Sequence, residues 1–206
     1  MPSGGDAQRA MVVIRKANGG LIIHNAIALE PVAMKQLEDW GRPEILMVPN
    51  GYHRQDAFIY KERYPHMRVV CPSGARKKVA QVVSVDATVD DEGGEDGASI
   101  HHMEGLKKGE AVLTVRSGAG TSLVFCDALL NMPRSKGLRD FFLAPTGKLS
   151  VPRVVRVLGM NDKSALRSHI MSLSQTPGLK RILVGHGASI EVAAAEQLVQ
   201  AAATLG

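Results

Sequence analysis

Five residues, each at or near the end of an apolar run, could carry chemistry in this sequence: His53, Asp56, His102, Asp127 and His186. His101 stands next to His102 and shares its candidacy. Neutral imidazole nitrogens and anionic carboxylate oxygens are the donors that suit zinc, iron and manganese. A carboxylate such as Asp127 could bridge two cations and offset their charge. Water bound to such a cation becomes a nucleophile near neutral pH. Ligands at the C-terminal edges of strands are also where open α/β sheets keep their sites.

The elements that must position these residues can be read from periodicity and turn chemistry. Met11 to Arg15 and Leu21 to His24 read as two strands joined by Asn18-Gly19-Gly20, a tight hairpin signal. A helix follows, with Pro31 in its first turn and Ala33, Leu37 and Trp40 on one face. Ile45 to Val48 is a buried strand, broken by Pro49-Asn50-Gly51 just before His53 and Asp56. Ala57, Tyr60 and Tyr64 then share one helical face until Pro65, and Val69 to Cys71 is the next strand. Residues 76 to 81 predict a short helix.

The acidic stretch 86 to 96 fails as a calcium loop. Counted from Asp90, its sixth and twelfth places hold Glu95 and His101 instead of glycine and glutamate, so it reads as a mobile solvated loop. Ser99 to Met103 is a strand. Ala111 to Arg116 and Thr121 to Cys126 form a second hairpin about Ser117-Gly118-Ala119-Gly120, and Asp127 ends it. Residues 132 to 150 predict a loop with short helical pieces, and Arg153 to Leu158 reads as a strand. Ser164 to Gln175 is a helix by the spacing of Leu166, Ile170 and Leu173. Ile182 to Val184 is the last strand. Gly185-His186-Gly187 and an alanine-rich helix from Ile190 to about Thr204 close the chain.

Composition bounds the function classes. The 206 residues predict one domain over 1–206, with residues 1–10 a flexible leader, and the 4% aromatic content predicts an aliphatic core. Cys71 and Cys126 lie inside strand-like runs and form no CxxC pair, which points away from a disulfide framework and towards a reducing cytoplasm. No apolar run nears the roughly 20 residues of a spanning helix, so no membrane partner is expected. The charge of +5 favours anionic partners weakly. Arg76-Lys77-Lys78 and Lys107-Lys108 lack the interleaved aromatics of a single-strand binder, so a small, anionic substrate is expected in preference to nucleic acid.

Other chemistries fail on their own terms. About twenty residues follow Gly185-His186-Gly187, too few to complete a dinucleotide-binding βαβ unit. There is no Gly-x-Ser-x-Gly elbow and no Walker loop. Cys126 ends a buried-looking run and reads as an inert thiol.

A strand, loop and helix bearing His53, then a histidine, then Val-Phe-Cys-Asp-Ala-Leu, then Ile-Leu-Val-Gly-His-Gly, resembles the metallo-β-lactamase fold superfamily in motif order and spacing. The resemblance runs from about Met11 to Ile190. It looks like a small branch with Pro49, Asn50 and His53 where the superfamily has a run of histidines. It implies a four-layer αββα sandwich of two mixed β-sheets flanked by helices, with the site between the sheet edges.

By position, His53 matches the second histidine of the superfamily's His-x-His-x-Asp-His run, and Asp56 stands in the place of its last histidine. His102, or His101, takes the ligand place after the first half. Asp127 matches the bridging aspartate and His186 the final Gly-His-Gly ligand. Gly51 replaces the first histidine and Gln55 the aspartate. The resemblance thus implies zinc or iron, with at most one ion tightly held. It fits a metal-dependent hydrolase, an iron-dependent oxidoreductase or a metal-poor binding scaffold, and the hydrolase is the preferred expectation.

Overall fold

The computed structural model describes residues 9–91, 97–107, 109–133 and 147–206. β1 (Val12–Arg15) and β2 (Gly20–His24) pair antiparallel, with Val12 opposite His24. Their turn is the expected one: Gly19 takes φ +84° and Asn18 Oδ1 accepts from Gly20 N at 2.9 Å. The chain continues through α1 (Pro31–Trp40), β3 (Arg42–Met47), α2 (Ala57–Arg63), β4 (Arg68–Cys71), α3 (Arg76–Val79) and β5 (Ala87–Thr88). These strands form a sheet in the order β1-β2-β3-β4-β5, parallel from β2 onward.

A second sheet follows in the order β6-β7-β8-β9. β6 (Ala98–His102), β7 (Ala111–Ser117) and β8 (Gly120–Val124) are antiparallel neighbours. β9 (Leu179–Leu183) returns parallel to β8 after α4 (Lys163–Ser174), and α5 (Ala194–Ala203) ends the fold. Asp162 caps α4 by accepting from Ala165 N at 2.9 Å.

Side-chain alternation sorts these elements into layers, because successive strand residues face opposite sides of a sheet. Leu21, Ile23, Leu46, Val69 and Cys71 pack beneath Met34, Leu37, Tyr60 and Val79 of α1 to α3. Ile22, Ile45, Met47 and Val70 turn the other way and meet Ile100, Leu113 and Val124 of the second sheet. Leu123, Phe125 and Ile182 face Leu166, Ile170, Leu198 and Ala201 of α4 and α5. Three buried seams thus join four layers, the expected αββα sandwich of two mixed sheets. The chain divides as its order predicts, with one sheet drawn from 12–88 and the other from 98–183.

Several expectations are corrected. Trp40 is 48% exposed, and Met34 and Leu37 are the residues that α1 buries. Residues 153–158 are not a strand. Val155–Gly159 form a π-helical turn closed by Met160 N to Val155 O at 2.8 Å. Arg156 ties that turn to Val151 O and to Thr204, leaving Val157 and Leu158 in solvent where a core strand would bury them. α5 begins later than expected because Ile190 pairs in extended form with Ile182.

Residues 9 and 10 are no loose leader. Ala10 N donates to Gly185 O at 2.9 Å, and Arg9 forms a β-bridge with His186. In the acidic stretch, Asp86 accepts from Val69 N and Asp91 accepts from Thr88 N, so both order backbone. The rest of that expectation, and most of the loop expected at 132–150, lie outside the described residues. No helix among the described residues is long and apolar enough to cross a membrane.

Candidate metal centre

The turn after β3 is built by Asn50. Its Oδ1 accepts from Tyr52 N at 2.8 Å and from His53 N at 3.0 Å, an Asx-type turn that fixes where His53 begins. Its Nδ2 donates to Asp127 Oδ2 at 2.8 Å, so one side chain places residues from both halves of the chain. Asp127 lies on the loop leaving β8. There the buried Glu110 accepts from Cys126 N at 3.2 Å and Ala128 N at 2.5 Å, holding the backbone on either side of Asp127. His186 follows β9, where Arg9 and Ala10 pair with the backbone of Gly185 and His186.

His53, Asp127 and His186 converge. His53 Nε2 lies 3.2 Å from Asp127 Oδ2 and 3.3 Å from His186 Nε2, and His186 Nε2 is 3.5 Å from Asp127 Oδ1. One ligand atom from each lies within 4.8 Å of the others, the spacing of a shared coordination shell.

The neighbouring bonds say which atoms face inward. His53 Nδ1 is 2.8 Å from Asn25 Oδ1, a carbonyl oxygen that can only accept, so Nδ1 carries a proton and Nε2 is turned toward Asp127 and His186. A neutral His53 therefore presents a lone pair to a carboxylate and to a second imidazole. A proton on Nε2 or a cation between the three would satisfy such a trio, and two imidazoles plus one carboxylate are donors that zinc and iron accept.

The electrostatics agree. Burial works against ionisation of Asp127, but the His53 contact, the charges of His53 and His186 and the Asn50 bond outweigh it and hold the carboxyl below its usual range. Burial, reinforced by the charge of Asp127, pushes Glu110 up. Behind the trio, burial and then the nearness of His53 bring His24 down to about 4, and neither of its ring nitrogens has a hydrogen-bond partner among the described residues. Burial pushes both thiols up, Cys71 to about 11 and Cys126, with the help of Asp127 and Glu110, well above the usual thiol range, so neither is a nucleophile at neutral pH.

No family model matches the sequence, and no curated protein matches it. Solved structures do. The metallo-β-lactamase FIM-1 from Pseudomonas aeruginosa, in its mono-zinc form, aligns with a TM-score of 0.65 at 10% identity, covering 99% of this chain and 87% of that one. The metallo-β-lactamase DIM-1 aligns with a TM-score of 0.64 at 11% identity, covering 95% and 87%. TTHA1623, in a di-iron-bound form, aligns with a TM-score of 0.61 at 16% identity, covering 91% of each. The chain has the metallo-β-lactamase fold.

Within the metallo-β-lactamase fold, the expected ligands separate into those that meet and those that do not. His53, Asp127 and His186 meet. Asp56 is drawn into an ion pair with Arg9, Nη2 to Oδ2 at 2.5 Å, and stands outside the trio. His102 is also outside it, with Nε2 3.1 Å from Asp90 Oδ1 and 3.5 Å from Ser73 Oγ. His101 points to solvent. His66 contacts Pro43 O, and His169 accepts from Glu104 N, both structural roles. Sequence reasoning missed Asn25 and Glu110. Each is an ordinary loop or strand-end residue in the sequence, and only the pairing of distant segments brings it to the site.

Gly51, matched by position to the first histidine of the metallo-β-lactamase motif, is crowded by the Lys78 side chain. A Cβ there would lie 2.7 Å from Lys78 Cδ and 3.0 Å from Lys78 Cβ. Gly51→His alone is therefore expected to leave metal stoichiometry unchanged, whereas Gly51→His with Lys78→Ala gives the imidazole space. Metal content per chain after gel filtration checks this. A second equivalent gained by the single variant would contradict it.

Proposed function

We propose that this chain is a metal-dependent hydrolase of a small, anionic ester, amide or phosphate, holding one zinc or iron ion through His53, Asp127 and His186. The observation that carries this reading is the convergence of those three side chains, from three separate loops, at one end of the sandwich. Zinc or iron held there would act as a Lewis acid towards the reacting oxygen of the substrate. The chain's own residues prepare the place. Asn50 fixes one oxygen of Asp127 with an N–H, and the pairing of that carboxylate with two imidazoles keeps it ionised. Glu110 fixes the loop that carries it.

An anionic substrate is supported by the turn itself. Lys78 Nζ lies 4.3 Å over the ring of the exposed Tyr52, the residue before His53, and Arg54 follows it. Gly51 and Gln55 offer no anionic or imidazole ligand, so weak or no turnover of a chromogenic cephalosporin is expected.

The test is elemental analysis of protein purified without added metal, run beside a panel of ester, amide and phosphate substrates. About one equivalent of zinc or iron with turnover supports the hydrolase. Iron with dioxygen consumption and no hydrolysis would move the reading to an oxidoreductase, a second possibility favoured by the di-iron relative. No metal retained under any loading condition would leave a binding scaffold.

A further inference from the structure

Asn25 is fully buried at the end of β2 and sits in the left-handed region, φ +62°. Asparagine tolerates that conformation better than other side-chain-bearing residues because its short amide can bond locally. Here the amide bonds at long range. Nδ2 donates to Ala10 O at 2.7 Å, and Oδ1 faces His53 Nδ1 at 2.8 Å. The orientation is not interchangeable, because a carbonyl at Ala10 accepts only from the NH2 end of the amide. Asn25 N donates to Met47 O, which fixes the backbone beneath the amide. Ala10 is itself held, its N–H bonded to Gly185 O next to His186.

We propose that Asn25 is the positioning residue of the centre. By keeping a proton on His53 Nδ1 and holding the ring in place, it makes Nε2 the nitrogen that faces the cation. Neutral imidazole and imidazolium both keep the Nδ1 proton in this arrangement, so only Nε2 can become a ligand. Through Ala10, the same amide is tied to the strand end that carries His186, and both imidazoles share one frame. The inference rests on the metal-binding reading, but its first readout needs no metal.

Two substitutions compatible with the left-handed backbone separate positioning from folding. Asn25→Gly keeps the backbone and deletes the amide, and Asn25→Asp keeps an acceptor for Nδ1–H. In metal-free protein, NMR of the histidine rings should show a slowly exchanging His53 Nδ1–H in wild type and in Asn25→Asp. In Asn25→Gly that proton should exchange rapidly. Cobalt(II) and zinc titrations should then show affinity falling about 10- to 100-fold in Asn25→Gly and recovering in part in Asn25→Asp, which restores the acceptor for Nδ1–H but not the bond to Ala10 O.

Absence of a protected Nδ1–H in wild type would overturn the proposal, as would cobalt(II) affinity within twofold of wild type for Asn25→Gly. If wild type binds neither metal, the metal reading fails. The ring-proton measurement then still decides whether Asn25 sets the His53 tautomer.

Discussion

Asp127→Ala is expected to abolish the zinc or iron binding proposed for this protein while leaving it folded. Asp127 is the only carboxylate among the three converging residues, and it meets both imidazoles. Removing it deletes the one anionic donor and leaves two neutral rings with no carboxylate to offset the charge of a cation between them. Changing an outer-shell partner alone costs about 10- to 100-fold in metal affinity, so losing this direct ligand should cost at least about 100-fold. His186→Ala should do the same. Cys126→Ser should not, since that thiol is buried and tied up in packing beside Glu110 instead of reaching the trio. Metal content after gel filtration, with circular dichroism to confirm the fold, decides the matter. A metal content unchanged in Asp127→Ala would sink the assignment.

The second large effect concerns His24. Both of its ring nitrogens are buried without a partner among the described residues, and an unmet buried polar group costs about 1–3 kcal/mol. Leucine has similar bulk and no polar atom. In metal-free protein at pH 7, His24→Leu should therefore be more stable than wild type by about 1–3 kcal/mol in urea.

The acid side gives a sharper check. His24 titrates at about 4 in the folded chain against 6.5 when exposed, so between those values the unfolded chain binds the proton and the folded one does not. Wild-type stability must then fall as pH drops through that window, by up to about 3 kcal/mol from this residue. His24→Leu should lack this component of the acid loss. A variant that is less stable than wild type at pH 7, or that loses stability in acid along the same curve, would contradict the account.

Much of this architecture was legible in the sequence, for identifiable reasons. Asn18-Gly19-Gly20 specifies its turn locally, and the short apolar runs at 45–48 and 123–125 read as the buried strands they form. The strand-end positions of His53, Asp127 and His186 survive in the structure because each is set by the strand before it. The losses come from long-range partners. Asp56 keeps the position of a ligand but finds Arg9, from a segment read as loose. His102 turns to Asp90. The run 153–158 has the apolar content of a strand, yet Arg156 bonds Thr204 and winds it into a π-helical turn. Glu110 looks like a surface glutamate after two lysines and a glycine. Only the return of β8 beside β7 makes it a buried acceptor.

The sandwich is assembled from consecutive halves of the chain, and the three converging side chains are divided between them. His53 belongs to the first half, Asp127 and His186 to the second. An ion held by all three would act as a removable bolt across the seam between the sheets. Its grip obeys mass action: free metal at 100 times its dissociation constant adds about 2.7 kcal/mol to the joined state, and a chelator withdraws it. Metal supply would then govern how long the two halves stay closed, and with that the chain's lifetime against proteases.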